Sequence, residues 1–183
     1  MENTRIADQL IYGKKSLMHT ANVIHTLAWE HDNCLIVLDE CGLGAGLMDR
    51  LIEMGNDVWG VDYSGKSDEP QKYYNLRSQI WCRAADMFAE GDIELKDIDQ
   101  KLKSQLCSPV YEFRNGRILI EPKSQIKKRL SSSPDRADAY VNGLYALDFI
   151  DGEILYNKRK YRDPFAECYE DDGYTMKDAY MAM

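Results

Sequence analysis

The sequence has no long hydrophobic run: its longest, such as Leu35-Ile36-Val37-Leu38, fall far short of the roughly 20 apolar residues that a membrane-spanning helix needs. The opening stretch, MENTRIADQLIYGKK, has no apolar centre and no small-residue cleavage site, so no secretory signal is expected. Paired cysteines are missing as well. The five present, Cys34, Cys41, Cys82, Cys107 and Cys168, are odd in number and widely spread, without a C-x-x-C pair or histidines at zinc-finger spacing. They are expected to be reduced thiols in a cytosol. The histidines are few, and His19, His25 and His31 recur every six residues, which takes them off a common helical face and argues against a metal site there. Positive charge is in deficit: 23 Lys+Arg against 31 Asp+Glu give a net charge of -8. Such a chain repels nucleic acid as a whole, which excludes a passive DNA-coating protein. An enzyme that approaches phosphates through bound cations is not excluded, because its site is made of carboxylates.

What is present suits one α/β core with an appendage. The 183 residues are 44% hydrophobic and 30% charged, enough apolar material for a single core. Residues 5–12 read as a short strand and Ser16 to His31 as a helix. Cys34 to Leu38 reads as a strand buried on both faces, ending in Asp39-Glu40 and a glycine-rich loop, Gly42-Leu43-Gly44-Ala45-Gly46. A helix from Leu47 to Met54 and a strand from Asp57 to Tyr63 complete a strand-helix-strand unit, hence a parallel pair. Helices are expected over Gln71 to Glu90 and Ile98 to Leu106. Asn115-Gly116, between Val110 to Phe113 and Arg117 to Ile120, predicts a hairpin. A basic stretch, Lys123 to Arg129, leads to Ser133-Pro134-Asp135, which opens a last helix to about Leu147. Residues 1–150 are thus expected to form the domain, and 151–183 a charged, tyrosine-rich tail.

Three readings compete around the glycine loop. Gly60-Val61-Asp62-Tyr63-Ser64-Gly65-Lys66-Ser67 satisfies the G-x-x-x-x-G-K-S pattern of nucleotide-binding loops, but a working loop turns directly into a helix facing the phosphates, and here Asp68-Glu69-Pro70 follows. Val37 to Gly46 with Val58-Trp59-Gly60-Val61-Asp62 some twenty residues on resembles the cofactor-binding start of S-adenosylmethionine-dependent methyltransferases. That likeness covers about thirty residues and explains nothing after Asp62.

The third covers roughly residues 8–148 in order. Asp8-Gln9-Leu10-Ile11-Tyr12-Gly13-Lys14-Lys15-Ser16, Val37 through Leu51, Gly65-Lys66-Ser67-Asp68, Asn75-Leu76-Arg77-Ser78-Gln79-Ile80-Trp81, Ile118 to Lys123 and Ser133-Pro134-Asp135-Arg136-Ala137-Asp138-Ala139 together resemble the C-terminal nuclease domain of phage terminase large subunits. The resemblance implies a ribonuclease H-like mixed sheet flanked by helices, with an added β-hairpin. It also implies cleavage of double-stranded DNA with Mg²⁺ or Mn²⁺ during phage genome packaging. The implied partners are the terminase ATPase domain, the portal and the small terminase subunit, and the implied location is the host cytoplasm. By resemblance Asp39 is the family's second acidic position, and the pair Asp135 and Asp138 contains the third.

The residues support that assignment independently. Asp39 closes a strand, where a carboxylate projects into the crevice beyond the sheet. Asp135 and Asp138, three apart, share a face of a helix's first turn, where the helix dipole favours negative charge. Two-metal hydrolysis needs such oxygen ligands from separate elements. The competing structural roles are turn capping for Asp39 and helix capping for Asp135. Lys123, Lys127, Lys128 and Arg129 are the densest basic cluster and the candidates for phosphate contacts, with a solvated helix face as the alternative. The family's first acid, on an opening strand, has no counterpart in these residues, and Asp8 is poorly placed to replace it. The expectations are therefore a fragment, a split gene whose partner supplies the rest, or a domain that binds without cutting, and low activity in isolation.

Overall fold

The computed structural model describes residues 4–5, 9–95 and 99–150 of the chain. In chain order the elements are β1 (Thr4–Arg5), α1 (Leu17–Glu30), β2 (Ile36–Asp39), α2 (Leu43–Glu53), β3 (Val58–Val61), α3 (Leu76–Glu90), β4 (Ile93–Glu94), α4 (Gln100–Leu106), β5 (Tyr111–Arg114), β6 (Arg117–Ile120), α5 (Lys123–Leu130) and α6 (Asp135–Ile150). The architecture is mixed α/β. β2 and β3 pair in parallel, Ile36 opposite Val58 and Asp39 opposite Val61, with α2 as the crossover. β1 and β4 form a second parallel pair, and β5 and β6 the expected antiparallel hairpin. Tyr73 adds a parallel bridge to Ile118, so that β6 lies between β5 and the segment before α3.

Local chemistry explains most boundaries. Ser16 caps α1 by accepting from the His19 amide at 3.1 Å, and Asn75 caps α3 by accepting from the Ser78 amide at 2.9 Å. α3 ends at Gly91, whose φ of 81° is the left-handed stop that glycine supplies. α3 therefore starts later than expected, because Asn75 captures the first free amide and residues 71–75 are drawn to β6.

Three expectations are corrected. The glycine-rich stretch is not a loop: Leu43 to Gly46 is the first turn of α2. Residues 9–12 form no strand; among the described residues the pairing at this end involves Thr4 and Arg5, and 6–8 lie outside them. β2 is half-buried, with only Ile36 fully enclosed, rather than buried on both faces. The basic stretch after β6 forms a helix of its own, α5. The tail, 151–183, lies outside the described residues.

One core joins β3, α3 and α6 through Val61, Tyr63, Ile80, Trp81, Ala137, Val141 and Leu144. A smaller one, Ala21, Ala28, Ile36 and Leu51, seals α1 and α2 onto β2. The C-terminal ends of β2 and β3 meet the N-terminal turns of α5 and α6 at one place, and there the acids collect.

Candidate functional site

Asp39 is the last residue of β2. Its Oδ1 accepts from the Cys41 amide at 3.0 Å, closing the turn into α2, while its Oδ2 accepts from Lys123 Nζ at 3.1 Å. The turn-capping role is thus filled by one oxygen, while the other pairs with Lys123. Asp138 stands on the first turns of α6 and is 4% exposed. Its Oδ2 lies 3.2 Å from the same ammonium, and its Oδ1 lies 3.9 Å from Arg77 Nη2. The two carboxylates are therefore no further apart than two ion-pair lengths, well within the ~10 Å that one or two bridged cations span.

Lys123 reaches this position because it is the first residue of α5, directly after Pro122, two residues past the end of β6. The position of Asp138 depends on Gln105 of α4, a buried glutamine that caps α6 from outside. Gln105 Nε2 donates to the Ser133 carbonyl at 2.9 Å, and its Oε1 accepts the Arg136 and Ala137 amides at 3.1 and 3.3 Å. The helix's free amides are satisfied by a neighbour rather than by its own cap residue.

Around the acids the site is closed by polar groups that sequence reasoning did not single out. Arg77 is buried, donates from Nη1 to the Glu121 carbonyl at 2.7 Å, and lies over the Trp81 ring. The Tyr63 hydroxyl donates to Asn142 Oδ1 at 2.6 Å, and its ring faces Lys123 Nζ at 5.1 Å. Arg77 lies within a run already singled out for its family resemblance. Tyr63 lies at an unspecified position of the nucleotide-loop pattern and Asn142 in no motif, and the packing of α6 on the end of β3 brings them in.

The electrostatics follow from burial. Burial pushes the Asp138 carboxyl above its ordinary value, against the pull of Lys123 and Arg77. Burial also works against the Lys123 charge, but Asp138 and Asp39 outweigh it and hold the ammonium above the usual lysine range. Burial, then the Asp138 and Asp39 charges, keep the Tyr63 phenol protonated throughout the working range.

The donor chemistry fits a hard divalent cation. Buried Asp138 Oδ1 has no hydrogen-bond donor and Oδ2 meets only the Lys123 ammonium at 3.2 Å among the described residues, so carboxylates from two elements flank a position at which a cation already sits. Among the described residues no group of three His, Cys, Asp or Glu side chains converges. Asp135 is exposed and makes none of these contacts. Of the basic cluster, Lys123 points at the acids and Arg129 pairs with Glu121, while Lys127 and Lys128 are exposed.

The same geometry departs from what the two rival readings of the loop require. No helix follows Lys66: Ser67 is buried and donates to Gln79 Oε1, and α3 begins only at Leu76. The glycines after Asp39 lie in the first turn of α2, with Gly44 packed on the Asp39 carbonyl, rather than in an open cofactor loop, and Asp62 Oδ1 accepts from the Ser64 amide and hydroxyl.

No family model matches the sequence, and no curated protein does. Among solved structures, the fold matches the nuclease domain of the large terminase subunit of bacterial virus Sf6. A lysine-to-alanine variant carrying manganese and β-thujaplicinol superposes with a TM-score of 0.57 at 20% identity, over 67% of this chain and 70% of that one. The domain without the substitution gives 0.56 at 22% identity, over 66% and 69%. A variant with calcium gives 0.56 at 20%, over the same shares. The chain thus has the fold of a large-terminase nuclease domain.

Proposed function

We propose that this chain is a divalent-metal-dependent nuclease domain of a phage DNA-packaging terminase, ribonuclease H-like with an added hairpin, that hydrolyses phosphodiesters of double-stranded DNA in the host cytoplasm. The observation that carries the reading is the convergence of Asp39 and Asp138 on one cationic position at the end of a parallel strand pair. The fold likeness supports it, and the manganese and calcium of the Sf6 domains support Mg²⁺ or Mn²⁺ here.

In this reading Asp39 and Asp138 hold the metal, and Asp135, one turn before Asp138, is a ligand from the exposed side. When bound there, a divalent cation would supply activation of water and stabilisation of the leaving oxygen. Arg77 and Tyr63 keep Asp138 in place and shield it from bulk water. Lys123 balances the two acids, and its ammonium would have to leave them for a metal to be held there. Lys127, Lys128, Lys123 and Arg129 are the DNA-facing side of α5, and the ATPase domain, portal and small terminase subunit are the packaging partners.

A second reading is favoured by Lys123 filling the space between the acids and by the convergence of only two of them: a domain that binds metal and partners without cutting. Plasmid DNA incubated with the protein and Mn²⁺ separates the two. Nicking and linearisation that Asp138→Asn abolishes support the nuclease. Intact plasmid alongside calorimetric metal binding supports the non-cleaving module.

A further inference from the structure

Arg114 and Arg117 face each other directly across the β5–β6 hairpin, one on each side of the Asn115-Gly116 turn. Like charges in directly opposed positions destabilise a strand pair. Among the described residues neither guanidinium has a carboxylate partner, although Glu112 stands on the same face of β5. Instead both guanidinium carbons lie against one ring, that of Tyr74, at 5.2 and 4.7 Å from its centre, which keeps the two groups close together. Two neighbouring, unneutralised guanidinium forks at an exposed hairpin end, in a chain with a net charge of -8, form a site for a tetrahedral oxyanion that bridges them.

We propose that this pair binds a backbone phosphate of nucleic acid. The choice of nucleic acid as the source of that phosphate rests on the nuclease reading. β6 runs from Arg117 toward Lys123, six positions on, at most about 20 Å of extended chain. That is roughly six base pairs of duplex at about 3.4 Å each, so one duplex lying along β6 reaches both the acids and the arginines. The arginine pair therefore holds the substrate away from the point of cleavage and sets its direction across the site. Tyr111 and Phe113, 58% and 70% exposed on the opposite face of β5, take no part in it.

The test is fluorescence anisotropy in EDTA, so that cleavage plays no role, with labelled duplex and single-stranded oligonucleotides over a salt series. The variant Arg114→Gln/Arg117→Gln is expected to keep the wild-type melting temperature or exceed it, since a repulsion is relieved. It is expected to bind duplex about tenfold more weakly, with a log-log salt slope shallower by about one to two. Phe113→Ala is expected to stay within about twofold of wild type. Unchanged affinity and slope in the arginine variant overturn the proposal, as does loss of binding in Phe113→Ala alone, which assigns the hairpin to an apolar contact. Loss for single-stranded DNA only confines the site to unpaired strands and overturns the duplex path. If wild-type protein never cuts DNA with Mn²⁺ yet the arginine variant loses DNA binding, the nuclease reading fails and this one stands.

Discussion

Gly44 lies so close to the carbonyl of Asp39 that a Cβ built on it would fall 1.7 Å from the oxygen. The glycine-rich stretch therefore serves close packing: only three residues separate β2 from α2, which presses its first turn on Asp39. No side chain fits there without moving the backbone of Asp39.

Gly44→Ala is accordingly expected to cost about 2–4 kcal/mol of stability, in the range of substitutions that force a backbone clash. In whatever protein still folds, it should abolish Mn²⁺ binding as fully as loss of the acid does. Chemical denaturation and calorimetry read the two effects. A Gly46→Ala variant, whose Cβ would meet only a Leu17 methyl carbon at 3.6 Å, is the control and should bind metal normally.

Gln105 holds the start of α6 from a different helix, so Gln105→Ala should remove the acceptor of two amides and leave the Ser133 carbonyl unpaired. The expected loss is about 1–3 kcal/mol in thermal unfolding. Metal affinity should fall with it, because Asp138 rides on that first turn.

In the proposed reading Lys123 competes with the metal, because its ammonium pairs with both acids. Lys123→Ala leaves Asp138 with only the distant Arg77 as counter-charge, and the metal-free protein is expected to lose about 1–2 kcal/mol, a buried-pair effect discounted for a lysine side chain 39% exposed. Saturating Mn²⁺ should then raise the melting temperature of the variant more than that of the wild type. An equal or smaller rise shows that the ammonium does not occupy the metal position.

The raised Asp138 carboxyl gives a pH signature. A group that binds its proton more tightly folded than unfolded contributes stability below its unfolded value, near pH ~4, and that contribution is lost as pH rises through the folded value. In EDTA, Asp138→Asn should therefore gain stability relative to wild type as pH goes from about 4 to about 7. With Mn²⁺ present the order should reverse at the upper end, since only the wild type binds the ion. Differential scanning fluorimetry at several pH values shows both.

Much of this was legible beforehand where one residue dictates its own surroundings. Asn115-Gly116 specified the hairpin, Ser16 the start of α1, and the apolar run ending in Asp39 the parallel pair. The helical state of Leu43 to Gly46 was not legible, because glycine's low helix propensity argues against it and only the contact with Asp39 explains it. Of the acids, the spacing of Asp135 and Asp138 placed both on one helical turn but could not say which faces inward. That depends on the packing of Ala137, Val141 and Leu144 against α3 and β3, which turns Asp138 into the core and leaves Asp135 outside. Arg77 and Tyr63 reach the site from α3 and the end of β3, contacts of long sequence separation that no local pattern encodes.

The most direct measurement is anomalous diffraction at the manganese edge from crystals of this protein soaked in Mn²⁺. The account predicts a peak about 2.1 Å from oxygens of both Asp39 and Asp138, with the Lys123 ammonium displaced from them. A peak that touches only one of these carboxylates, or density showing Lys123 still bridging them at saturating metal, contradicts it.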